Sequence, residues 1–169
     1  MLFALFMLGA CDYENEGYES YEAWDADSNL EIDNDEFAEG LEGTGLYTDW
    51  DMNGDLSLSE DEYVYGSYEL WDMNDDGMIS SEEWNNNANY WGEDEVFFDE
   101  WDVNNNGMLD EGEYGLGLGN EGWFNDWDMD NDGLLEDGEF MDNMYTYWDN
   151  DASGYIDENE FDSYYSYWY

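Results

Sequence analysis

Six times along the chain an Asp opens a twelve-residue stretch with oxygen-bearing side chains at positions 1, 3, 5 and 9, an aliphatic residue at position 8 and Glu at position 12. One of these, DMDNDGLLEDGE, holds six carboxylates, from Asp128, Asp130, Asp132, Glu136, Asp137 and Glu139. Like charges crowded this closely repel one another and oppose compaction. A positive charge inside each cluster removes that cost, but the chain cannot supply one. It has 49 Asp and Glu, no Lys, Arg or His, and a net charge of −49. Aromatic residues nevertheless make up 20% of it, enough apolar surface for a core. Charge that would mark a disordered acidic polymer thus coexists with the means to fold, and the missing component is a cation taken from solution.

The six stretches are, at positions 1, 3, 5, 7, 9 and 12: Asp25, Asp27, Asn29, Glu31, Asp33 and Glu36; Asp51, Asn53, Asp55, Ser57, Ser59 and Glu62; Asp72, Asn74, Asp76, Met78, Ser80 and Glu83; Asp102, Asn104, Asn106, Met108, Asp110 and Glu113; Asp128, Asp130, Asp132, Leu134, Glu136 and Glu139; Asp149, Asp151, Ser153, Tyr155, Asp157 and Glu160. Four of them carry Gly at position 6, namely Gly77, Gly107, Gly133 and Gly154. This pattern resembles the calcium loop of EF-hand proteins. The resemblance covers residues 24–161 and is nearer to bacterial multi-loop EF-hand proteins and dockerins, with their short loop spacing, than to calmodulin. It implies that side chains at positions 1, 3, 5, 9 and 12 and the backbone carbonyl at position 7 surround Ca²⁺, with the Glu at 12 bidentate. Hard oxygen donors disfavour soft metals, and flexible coordination suits calcium better than magnesium.

Acidic residues at the five side-chain positions number 4, 3, 3, 3, 5 and 4 in chain order. Charge count tunes affinity in such loops, so the loop at 128–139 is expected to bind tightest and the loop at 149–160 next. The first two loops have Leu30 and Leu56 where the others have Gly. A left-handed backbone costs a residue with a Cβ about 1–2 kcal/mol. The expectation is therefore up to six Ca²⁺ ions, four in strong sites, with the loops at 25–36 and 51–62 weaker or distorted. Trp24, Trp50, Trp71, Trp101, Trp127 and Trp148 each precede a loop, and Phe37, Tyr63, Trp84, Tyr114, Phe140 and Phe161 each follow one. Rings at the ends of flanking helices read as core.

The opening Asp residues step by 26, 21, 30, 26 and 21, so loops one to three recur 77 residues later as loops four to six. The expected fold is all-α: an array of six calcium loops joined by short helices, in two tandem three-loop units (12–91 and 92–169) packed as one domain. Nine residues separate loops two and three, and nine separate five and six. Each stretch suits one shared helix, which holds its loops about 15 Å apart. Loops one and two, and four and five, are joined by glycine-rich segments such as FAEGLEGTGLYTDW. Glycine clusters break helices, so these loops are expected to lie side by side, leaving loop three to pair with loop six. The closing FDSYYSYWY reads as a packing helix.

Residues 1–11, MLFALFMLGAC, are apolar up to the single Cys. Leu8-Gly9-Ala10-Cys11 resembles a bacterial lipobox, although the basic residues usual at the start of a signal segment are absent. This implies a signal segment, lipidation at Cys11 and an extracytoplasmic, membrane-anchored lipoprotein; the plainer reading is an apolar arm with one free thiol. The apolar run is too short to span a bilayer, and one Cys forms no intramolecular disulfide. The negative field repels nucleic acid and anionic membrane surfaces. No nucleophile–base pair is evident, so no enzymatic activity is expected. Two functions stay in view: an extracytoplasmic structural or buffering protein whose folding is coupled to calcium, and a calcium-dependent module that binds a protein partner, as dockerins do.

Overall fold

Each Trp that precedes a loop closes a helix, and each loop's position 10 opens the next. A computed structural model describes residues 20–88 and 98–165. In chain order these form α1 (Tyr21–Trp24), α2 (Asn34–Thr44), α3 (Leu46–Trp50), β1 (Ser57–Leu58), α4 (Glu60–Trp71), β2 (Ile79–Ser80), α5 (Ser81–Ala88), α6 (Phe98–Trp101), β3 (Met108–Leu109), α7 (Glu111–Glu121), α8 (Trp123–Trp127), β4 (Leu135–Glu136), α9 (Asp137–Trp148) and α10 (Glu158–Tyr165). The fold is mostly helical, as expected, with only minimal strands. Cys11 and the rest of the N-terminal segment, the unit boundary at 91 and residues 166–169 lie outside the described residues.

The helix starts are written into the loops. Position 9 is the N-cap and the Glu at position 12 is N3, so the two form a capping box. At α2, Glu36 N–H donates to Asp33 while Asp33 N–H donates to Glu36; Ser59 with Glu62 and Asp110 with Glu113 do the same. The single helices α4 and α9 each run from one loop directly into the next, as the nine-residue spacing predicts. At 12 residues apiece they span about 18 Å, which keeps loop two from loop three and loop five from loop six.

The loop pairing expected from the sequence is not the one found. Leu58 pairs with Leu135, Ile79 with Leu109 and Ile32 with Ile156, all antiparallel. Loop one therefore faces loop six, two faces five and three faces four; neither the neighbours one and two nor loops three and six pair. The glycines explain the difference. Gly40 and Gly43 lie inside α2, and the helix stops only at Gly45, whose φ is +78°. Gly122, at φ +80°, does the same between α7 and α8. Instead of breaking the helix, Gly40 gives Trp24 a seat: a Cβ there would stand 2.3 Å from the indole. With α2 unbroken, it packs along α9, where its buried Phe37 meets Tyr145 and Trp148 as well as Trp24 of its own unit, and α4 packs likewise on α7. The two units lie antiparallel and supply each other's loop partners. A shift of 77 residues turns pair one–six into pair four–three and leaves two–five in place, as a pseudo-twofold through the central pair requires.

The core follows the pairs. Aromatic rings from four residues before, one before and one after each loop form three groups. Tyr21, Trp24, Phe37, Tyr145, Trp148 and Phe161 surround pair one–six, where the Trp24 and Trp148 rings stack 5.9 Å apart. Trp50, Tyr63, Phe140 and Trp127 do the same for pair two–five. Trp71, Trp84, Trp101 and Tyr114 do so for pair three–four, with Trp84 centred 4.6 Å from Trp71. Edge-to-face pairs predominate, the arrangement that aligns ring edges with ring faces.

Candidate metal centre

All six loops close on the same four hydrogen bonds. The Asp at position 1 accepts from the backbone N–H groups of positions 5 and 6, one on each oxygen. In the fifth loop Asp132 N–H reaches Asp128 Oδ1 at 3.1 Å and Gly133 N–H reaches Oδ2 at 2.9 Å. The Glu at position 12 reaches back in the same way, accepting from positions 3 and 9. Asp130 N–H lies 3.1 Å from Glu139 Oε1, and Glu136 N–H lies 3.3 Å from Oε2. These amides aim the two carboxylates that bracket the loop toward its middle. Each oxygen keeps lone-pair capacity, since a carboxylate accepts at about four sites.

Positive φ at positions 4 and 6 makes this geometry possible. Position 4 is Ser28, Gly54, Asp75, Asn105, Asn131 or Ala152, and position 6 is Gly in four loops. In the other two, Leu30 and Leu56 take φ of +69° and +73°. The two loops expected to be weaker or distorted thus keep the backbone shape of the other four. Leu30 N–H donates to Asp25 at 2.9 Å and Leu56 N–H to Asp51 at 2.9 Å, as the glycines do in their own loops. Both leucine side chains point to solvent, at 73% and 75% exposure. That leaves only the intrinsic cost of the conformation, about 1–2 kcal/mol.

Three carboxylates converge in three of the loops. Asp25, Asp27 and Glu36 bring ligand atoms within 4.8 Å of one another; so do Asp128, Asp130 and Glu139, and Asp149, Asp151 and Glu160. Asp130, Asp132 and Glu136 form a further group in the fifth loop. These are the three loops with the highest acid counts, and the first is among them despite Leu30. In loops three and four, Asn replaces the position-3 carboxylate. Asn74 Nδ2 donates to Glu83 Oε1 at 2.6 Å, and Asn104 Nδ2 to Glu113 at 2.7 Å. Loop two, with Asn53 at position 3, forms no such carboxylate group among the described residues.

The electrostatics are lopsided. Asp25, Asp72, Asp102 and Asp128 are buried, as are Glu62, Glu83 and Glu113. Burial holds the Asp72 carboxyl above its ordinary range; the Gly77 and Asp76 amides pull it down, and neighbouring Glu83 and Asp76 push it up. Glu136 is also raised, chiefly because its carboxyl shares a hydrogen bond with Glu139. Each entry helix adds to the imbalance, since its partly negative C-terminal end points at the position-1 Asp. A divalent cation fits this donor set: hard oxygens converging from several directions, negative throughout, with no side-chain cation anywhere in the sequence.

The sequence reading missed two recurrent residues. An aromatic stands four residues before every loop: Tyr21, Tyr47, Tyr68, Phe98, Phe124 and Tyr145. Gly40, Gly66 and Gly117 stand four residues after the Glu of loops one, two and four, and each seats the Trp before that loop, at 2.0–2.3 Å from where a Cβ would be. Aligning the six repeats beyond the residues next to each loop would have exposed both. Among the described residues, no helix is long and apolar enough to cross a membrane. A scan against protein-family models and a search of curated proteins each returned no match.

Proposed function

We propose that this chain is a calcium-binding protein of the EF-hand type, taking up to six Ca²⁺ ions in three facing pairs of loops, with its folding coupled to the metal. The observation that supports this most is the convergence of carboxylates onto a backbone scaffold repeated six times, in a chain with no positive side chain. Like charges this close repel one another until a cation joins them. The ligands are the residues at positions 1, 3, 5, 9 and 12 of each loop, with the position-7 carbonyls of Glu31, Ser57, Met78, Met108, Leu134 and Tyr155. Bound calcium supplies the positive charge that the sequence omits, taking the net charge from −49 to −37 at full occupancy.

Binding to the native state alone stabilises it by mass action, by about 2.7 kcal/mol per site at a hundredfold excess over Kd. Calcium then acts as a set of staples across the two units and as a buffered store. The test is equilibrium dialysis or isothermal titration of the whole chain against calcium, with a magnesium control. Uptake approaching six calcium ions per chain supports the reading; magnesium uptake of equal strength, or no uptake of either, contradicts it.

A further inference from the structure

The tyrosines four residues before the loops do more than fill the core. Tyr47 Oη lies 3.0 Å from the carbonyl of Leu56, at position 6 of its own loop, and 2.9 Å from the carbonyl of Leu135, at position 8 of the facing loop. Tyr68 repeats this across pair three–four, 2.9 Å from Gly77 O and 3.2 Å from Leu109 O. In pair one–six the reach is divided between two side chains. Tyr145 donates to Gly154 O of its own loop at 2.8 Å, and Tyr21 to Ile156 O of the facing loop at 3.4 Å.

On the calcium reading, the carbonyl of position 7 is a ligand. The carbonyl of position 6 immediately precedes it and that of position 8 immediately follows. One phenol therefore joins the peptide before the ligand carbonyl in one loop to the peptide after it in the other. We propose that Tyr47 and Tyr68 are positioning residues that couple the facing loops, so that calcium in one loop holds its partner's backbone ready for a second ion. This rests on the calcium reading and adds a direction to it. Loop two has three acids and a strained Leu56, so it fills with the help of loop five, which has five acids. The link is one-sided in pairs two–five and three–four, because Phe124 and Phe98 occupy the matching positions and have no hydroxyl.

Those two phenylalanines also show that the fold accommodates Phe at this position, so Tyr47→Phe and Tyr68→Phe remove an oxygen and little else. The experiment is a calcium titration of the ¹⁵N-labelled whole chain, following backbone amides that report separate loops: Leu56 and Gly133 for pair two–five, Gly77 and Gly107 for pair three–four. In the wild type the two amides of a pair are expected to move together. In Tyr47→Phe the Leu56 curve should shift to about three- to tenfold higher calcium, the range that one lost hydrogen bond gives, and should separate from Gly133, while Gly77 and Gly107 hold their places. Tyr68→Phe should do the reverse. Unchanged curves in both variants would overturn the coupling while leaving the calcium sites intact. Equal shifts in all four amides would also overturn it, since the hydroxyls would then serve general stability. A wild-type chain with no calcium response would overturn coupling and calcium reading together.

Discussion

Pairs one–six and three–four are equivalent under the internal duplication, yet they are provisioned differently. Both are antiparallel contacts between position-8 residues, each inside an aromatic group. Around pair one–six, however, two sets of three carboxylates converge and two tyrosine hydroxyls touch loop carbonyls. Around pair three–four, Asn74 and Asn104 stand at position 3, and one tyrosine does the bridging. Fold and charge are thus separate variables in this molecule. Rings and backbone amides set the loop shape, and the acids placed on that shape set its field. Leu30 makes the same point, since a loop with the costlier backbone still gathers a full carboxylate group.

The largest expected effects test what the two pairs share. Trp148→Ala and Trp84→Ala should each destabilise the calcium-loaded chain by about 3–5 kcal/mol, the usual cost of removing a large buried ring. Urea unfolding followed by far-UV circular dichroism measures both. Near-equal losses fit a common skeleton; a loss confined to one variant would mean that only one pair supports the fold.

Next comes the strain that sets loop one apart. Leu30→Gly relieves a left-handed leucine whose side chain is largely exposed, and should tighten the first site by about 1–2 kcal/mol, roughly a tenfold drop in Kd. Site-resolved calcium titration decides it, and no change would mean that the acids alone set that loop's affinity.

Alkali should act on the two outer pairs alike. Burial pushes Tyr21, Tyr68 and Tyr145 from an ordinary value of 10 up to about 12. Unfolded tyrosines ionise first, so stability is intact below about pH 10 and is lost as pH rises toward the folded values. Burial pushes Tyr114 higher still, so pair one–six carries two such groups, Tyr21 and Tyr145, and pair three–four also two, Tyr68 and Tyr114, and the two should loosen together. Phenolate absorbance alongside unfolding between these pH values provides the check. The smallest effect is a control: Gly138→Ala in α9 meets nothing within 4 Å and should stabilise by about 0.5–1 kcal/mol, read by thermal unfolding, with both outer pairs unaffected.

Much of this was legible in the sequence because a loop is a local object. Positions 1 to 12 fix their own hydrogen bonds, and the short spacing between them marked the shared helices α4 and α9. Pairing is not local. Whether Ile156 meets Ile79 or Ile32 depends on the course of helices α2 and α7, and their glycines look like breaks until the Trp rings seated on Gly40 and Gly117 are seen. The tyrosine bridges were hidden for a related reason. Tyr68 as sequence is one more core aromatic, and only its distance to Leu109 on the other unit gives its hydroxyl a task.

On the calcium proposal, cations from solution hold the two units together. Its most direct test is far-UV circular dichroism and Trp fluorescence of the whole chain in chelator, titrated with calcium at about 0.15 M salt, where surface repulsion beyond about 8 Å is already screened. Little helix is expected in chelator, with a cooperative rise on adding calcium that magnesium does not reproduce. A chain fully helical in chelator, and unchanged by calcium, would contradict it.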